Sequence, residues 1–198
     1  MKKFLLLLLL LPIGCFAQLK IAVKAGLNFA NISNASGINA NSRTGYMIGG
    51  YITRKPKKLL GFRSEIILSR QGYDYKTNTN TGTVNLDYLL LPQLITLNFG
   101  KKVQLHLGGQ AAFLLNAKVD SSSGNGNGSL FDYFNRFDYG FAGGAEVSPI
   151  SGFFLGARIN VSFNNVNKEA PVGGNWPNFI PKVDVKNNVV QLYAGWRF

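Results

Sequence analysis

Eight stretches of this chain alternate apolar and polar residues at period two, and the connections between them alternate long and short. Period two belongs to β-strands with unlike faces, so the pattern fixes an all-β chain before any motif is considered. The first stretch, Leu19 to Ala30, sets Ile21, Val23, Ala25, Leu27 and Phe29 against Lys20, Lys24 and Asn28. The second runs from about Thr44 to Thr53 through Tyr46, Ile48 and Ile52, and the third sets Leu60, Phe62, Ile66 and Leu68 against Arg63, Glu65, Ser69 and Gln71. The fourth, about Leu86 to Phe99, contains Pro92, which is expected to mark a bulge or a weak point in the ladder because proline has no amide hydrogen to donate. The fifth, Val103 to about Ala117, opposes Leu105 and Leu107 to Gln104, His106 and Gln110; the sixth opposes Phe137, Tyr139 and Phe141 to Asp138 and Glu146. The seventh opposes Leu155, Ile159 and Val161 to Arg158 and Asn160, and the eighth, Lys186 to Phe198, puts Val190, Leu192, Ala194, Trp196 and Phe198 on one face.

The connections decide between a soluble sandwich and a barrel closed in lipid. Long ones at Asn31–Arg43, Gly72–Asn85, Lys118–Asn135 and Asn165–Asn187 alternate with short ones at Arg54–Leu59, Gly100–Lys102 and Ser148–Gly152, so long and short fall at opposite ends. An even number of antiparallel strands with this asymmetry predicts an eight-stranded transmembrane β-barrel, a meander with long outer loops and short periplasmic turns. A content of 23 Gly, 15 Phe and 8 Tyr in 198 residues, with 15% charge, fits strands and turns rather than helices.

The first residues have the form of an export signal. Met1-Lys2-Lys3 is basic, Phe4 to Ile13 is an apolar run broken by Pro12, and Cys15-Phe16-Ala17 presents small residues ahead of Gln18. The expected organisation is a signal peptide over 1–17 and a barrel domain over 18–198. Two fates compete for Cys15: removal with the leader, or retention as a lipidated N-terminus. Pro12-Ile13-Gly14 departs from the Leu-Ala-Gly pattern that precedes lipidated cysteines, which favours removal.

Three motifs then stand in order: Lys24-Ala25-Gly26-Leu27-Asn28-Phe29, Ser64-Glu65-Ile66-Ile67-Leu68-Ser69-Arg70-Gln71-Gly72 and Leu86-Asp87-Tyr88-Leu89-Leu90-Leu91-Pro92. They resemble the successive strand motifs of the PorT-type outer-membrane β-barrel proteins of Bacteroidota, with Leu90 where that family often has Glu. The closing Trp196 and Phe198 resemble the C-terminal signal of bacterial outer-membrane barrels. The resemblance implies a barrel in the outer membrane, and for Trp196 and Phe198 a role in recognition by the assembly machinery.

The net charge of +12 includes Lys2 and Lys3; without them 19 basic residues face 9 acidic ones. Arg54, Lys55, Lys57, Lys58, Lys101 and Lys102 crowd two short turns, where they would meet anionic headgroups of outer-membrane lipid. Nucleic acid is not expected as a partner, because its recognition needs a basic groove with stacking aromatics, and here the aromatics lie on the lipid face. No cofactor and no metal are expected: His106 is the only histidine and Cys15 the only cysteine. Facing inward, Lys24, Arg63, Glu65, Glu146, Arg158 and Arg197 are expected to form a lumen charge cluster, with Glu65 toward Arg63 and Glu146 toward Arg158. The expected function is non-enzymatic, a structural or loop-mediated binding role toward an envelope protein or extracellular ligand. The alternatives are a narrow passive channel for small, anionic solutes and a barrel hydrolase built on His106.

Overall fold

A computed structural model describes residues 19–33, 39–54, 59–76, 81–121, 133–168 and 186–198. The leader with Cys15, the turn lysines Lys55, Lys57 and Lys58, and the Gly-, Asn- and Ser-rich run after Ser121 lie outside the described residues. Eight strands follow one another: β1 (Leu19–Ser33), β2 (Asn39–Arg54), β3 (Leu60–Lys76), β4 (Thr81–Phe99), β5 (Val103–Ser121), β6 (Phe137–Val147), β7 (Phe153–Asn165) and β8 (Lys186–Arg197). Each pairs with its sequence neighbours, and β8 returns to β1 through a run from Ala22↔Arg197 to Ser33↔Lys186, so the sheet closes into a barrel. Closure satisfies every neighbouring ladder, which is what allows a sheet to stand in hydrocarbon.

The two faces differ as the alternation requires. Ile21, Val23, Leu27, Ile48, Phe62, Ile66, Ile95, Leu107, Phe141, Ile159 and Leu192 are exposed on the outside, while Lys24, Arg63, Glu65, His106, Glu146 and Arg158 are buried within. Near the long-loop end, Phe113 contacts Phe137, Phe137 stacks with Tyr139, and Phe163 meets both Tyr139 and Phe141 edge-on. Such a band of aromatics marks the level where hydrocarbon gives way to headgroups.

The wall is uneven. Strands β6 to β8 have 11, 13 and 12 residues, close to the length that crosses a bilayer, but β2 to β5 have 16, 17, 19 and 19. Two of the expected long loops are therefore shorter than the sequence suggests, with pairing continuing through Asn39↔Lys76 and Lys76↔Thr81. The cause is a reversal of polarity above the aromatic band. There Tyr73, Tyr75, Val84 and Leu86 turn inward and are buried, while Asp74, Thr83 and Asn85 face outward. Gly72 makes this continuation possible: its φ is 146°, and a Cβ there would lie 1.9 Å from the Val84 carbonyl oxygen.

Pro92 weakens the ladder without shifting it. The β3–β4 register passes from Ser64↔Gln93 to Ile67↔Leu90 with the positions opposite Leu91 and Pro92 unpaired. The bulge in β5 lies elsewhere, at Leu115, between Tyr88↔Leu114 and Asp87↔Asn116. It reverses the phase of β5, so that Ala117 and Val119 point inward beyond it, as Ala112 and Leu114 do before it.

Candidate functional site

The lumen is filled in three layers. The layer toward the short turns is the charged one. Glu65 of β3 is its centre: its carboxylate lies 2.8 Å from Lys24 Nζ, 2.7 Å from Arg63 Nε and 2.7 Å from Arg158 Nη2, so it joins β1, β3 and β7. Arg158 binds it at two points, donating from Nη1 to Oε2 at 2.8 Å and from Nη2 to Oε1 at 2.7 Å. Glu146 of β6 is the second anion. It accepts from Arg63 Nη1 at 2.7 Å, from the Tyr193 hydroxyl at 3.0 Å and from Arg197 Nη2 at 3.2 Å.

This differs from the expected pairing in one respect. Glu65 does meet Arg63, but Glu146 does not meet Arg158. The register sets Gly144 beside Arg158 and Gly156 beside Glu146, and the Tyr193 ring lies over Gly156, where a Cβ would come within 2.5 Å of it. That ring stands between the two, so Arg158 reaches across the lumen instead. Gly144 in turn leaves room for His106, whose Nε2 would be 2.9 Å from a Cβ at that position. Nε2 accepts from Arg158 Nε at 3.2 Å, so His106 serves as a neutral acceptor on the charge net.

Four cations share two carboxylates here, and aromatic rings take up part of the excess. Lys24 Nζ is 4.3 Å from the Tyr193 ring centre, the Arg63 guanidinium 4.4 Å from that of Tyr51, and the Arg197 guanidinium 5.3 Å from that of Phe154. Arg197 also donates to the Tyr51 hydroxyl at 2.9 Å. Gln104 accepts from Arg63 Nη1 at 3.0 Å. Tyr51, Phe154 and Tyr193 belong to the cluster yet were not singled out in the sequence, and Gln104, read there on the inward face of β5, was not assigned to it. Phe154 shares the inward phase of Arg158, Tyr193 that of Arg197 and Gln104 that of His106, whereas no inward residue of β2 was singled out that would mark Tyr51.

The middle layer is neutral and polar. Asn28 and Gln71 both donate to Ser69 Oγ at 2.8 Å, Gln191 donates to Asn28 Oδ1 at 3.0 Å, and Asn187 donates to Gln71. Beside it a cavity of about 10 Å³, room for one water, lies among Gln71, Gln110, Asp138, Asn160 and Ser162. The third layer is apolar. Phe134 and Val166, from the connections before β6 and after β7, are tied by Asn135 N to Val166 O at 2.9 Å and pack inward against Tyr73, Tyr75, Val84 and Leu86.

Among the described residues no three His, Cys, Asp or Glu side chains converge as a metal site would require. Trp196 is on the outer face with its ring over Gly152, where a Cβ would come within 2.8 Å. Phe198 is 69% exposed; its backbone amide donates to Ile21 O at 2.9 Å.

Comparison with known proteins agrees with this geometry. Ail, the attachment invasion locus protein of Yersinia pestis, solved with the heparin analogue sucrose octasulfate, superposes with a TM-score of 0.51 at 13% identity, covering 91% of this chain and 99% of that one. Neisserial surface protein A superposes with a TM-score of 0.55 at 14% identity over 90% and 97% of the two chains. At such identities the likeness speaks for the fold alone. No curated protein matches the chain. The family model of the outer membrane protein beta-barrel domain matches residues 16–168, and the chain belongs to that family of eight-stranded outer-membrane barrels.

Proposed function

We propose that this barrel is a non-enzymatic envelope protein whose lumen is a structural plug and whose binding work is done by the wall and loops at its long-loop, outward end. The observation that carries this reading is the filling of the lumen, charged, then polar, then apolar, with a cavity of only about 10 Å³ between layers. A conduit needs a continuous wet path, and a net of buried charges held by paired partners is a poor place to open one. The hydrolase reading loses its support because His106 accepts from Arg158 and has no nucleophile bonded to it among the described residues.

Residues 1–17 act in this reading as a cleaved export signal, Trp196 and Phe198 as the element read by the assembly machinery, and the chain as a PorT-type barrel of Bacteroidota, a reading supported by the resemblance of its three strand motifs. Its partners are outer-membrane lipid around the apolar belt and an envelope protein or extracellular ligand at the outer end. Planar-bilayer recording tests the plug: the purified protein is expected to insert without steady conductance. Reproducible single-channel steps would favour the channel for small anions, toward which the excess of cations in the lumen would incline it.

A further inference from the structure

Among the described residues the uneven wall leaves an edge without a strand partner. β5 pairs with β4 up to Gly82↔Ser121, but with β6 only from Val103↔Val147 to Phe113↔Phe137, followed by one bond from Leu114 N to Arg136 O at 2.8 Å. From Leu115 to Ser121 its other side has no strand partner among the described residues. This stretch stands above the aromatic band and rises about 20 Å along the strand. Its inward residues, Ala117 and Val119, are 1% and 2% exposed, so the sheet is held firmly from behind. Its outward residues, Lys118 and Asp120, are exposed; Asn85 of β4 donates to Asp120 Oδ2 at 3.4 Å, and among the described residues neither charge forms an ion pair.

An exposed edge is a template for another strand, and the charges on it select which one. The order Lys118-Val119-Asp120 is self-complementary: a two-fold axis through Val119 sets Lys118 opposite Asp120 of a second copy and Asp120 opposite its Lys118. Opposite charges facing each other across antiparallel strands favour pairing, and like charges oppose it. We propose that this edge is a self-association surface, at which β5 of one barrel pairs antiparallel with β5 of another. The proposal rests on the outward placement of the tall wall given above.

The orientation follows from symmetry. Two identical edges run antiparallel only when the axis is perpendicular to the sheet, and that operation inverts the second barrel, so its membrane lies on the far side. Two barrels in one membrane would run these edges parallel with the second sheet turned over, so that Lys118 and Asp120 of the two copies would not face each other. The pairing therefore joins barrels in two apposed membranes. The axis through Val119 pairs residues 117–121 of the two copies, a contact far smaller than the roughly 1,000 Å² of a stable complex, but many in register between two surfaces bind by avidity.

Vesicles carrying the purified full-length protein test this, with tethering read by light scattering and by pairing of two differently dyed populations. Wild-type vesicles are expected to tether. Lys118→Asp and Asp120→Lys are each expected to reduce tethering at least tenfold, since each leaves like charges opposed. Mixing Lys118→Asp vesicles with Asp120→Lys vesicles should restore it, and so should the double swap K118D/D120K. Absence of tethering by the wild type, tethering by the single variants at the wild-type level, or failure of the mixture to recover would each overturn the proposal. Barrel insertion and conductance are measured on the same vesicles. Loss of tethering with inserted, non-conducting barrels counts against the edge alone, whereas conducting barrels would count against the plugged reading.

Discussion

Glu65 and Arg158, on β3 and β7, meet across the lumen in a two-point ion pair of 2.7 and 2.8 Å, with both side chains fully buried. Removing one member of such a pair leaves an uncompensated charge where water cannot reach it. Glu65→Ala, which strips Lys24, Arg63 and Arg158 of their shared anion, is expected to cost about 3–5 kcal/mol in a urea titration of the folded barrel. Replacing both Glu65 and Arg158 with Leu should cost less than the two single changes summed, because neither charge is then left alone.

Glu146→Ala is expected to destabilise the barrel less than Glu65→Ala, because Arg63 keeps Glu65 and Arg197 keeps the Tyr51 hydroxyl. Its loss opens the charged layer beside Arg197, whose side chain is already 18% exposed. The measurement is conductance, with intermittent leak from this variant and none from the wild type.

Gly144→Ala should be severe. A Cβ there would lie 2.2 Å from the Ala157 carbonyl oxygen and 2.9 Å from His106 Nε2, so both ladder and charge net must shift. Gly109→Ala is the control, since nothing lies within 4 Å of a Cβ at that position. The first is expected to lose the folded band on an unboiled gel and the second to keep it.

Phe198→Ala is expected to lower the amount of assembled barrel in cells several-fold while the refolded variant keeps wild-type stability. The ring is 69% exposed, and the bond from Phe198 N to Ile21 O does not depend on it. Quantifying folded protein in the envelope beside a melting curve of refolded material separates the two effects.

Topology can be read with cysteines. Lys118→Cys is expected to react with a membrane-impermeant maleimide on intact cells, and Lys101→Cys, in the short turn after β4, only after the envelope is opened. The reverse result would invert the barrel.

How much of this was legible in sequence depends on where a residue stands. The sixth stretch, Phe137 to Val147, is read with its observed bounds because it lies wholly within the band where outward means apolar. The outer ends of β3 and β4 are not, because above that band the period persists while its polarity inverts, and in β5 the bulge at Leu115 breaks the period itself. Tyr73, Tyr75 and Val84 are buried, and a reading that follows outward apolar residues ends where these begin. In the lumen, inwardness followed from phase, and so did the same-strand contact of Glu65 with Arg63, but partners on other strands did not. Long side chains cross to non-neighbouring strands, and a ring such as Tyr193 over Gly156 can separate groups that register puts nearly side by side.

The carboxylate of Glu65 gathers groups from β1, β3 and β7, and that of Glu146 gathers groups from β3 and β8. Neither set is complete while the first and last strands stand apart, so in a half-built sheet these charges remain hydrated. Joining β8 to β1 is therefore also the event that dries the lumen: water leaves in one late step, and the barrel gains its interior and its closure together.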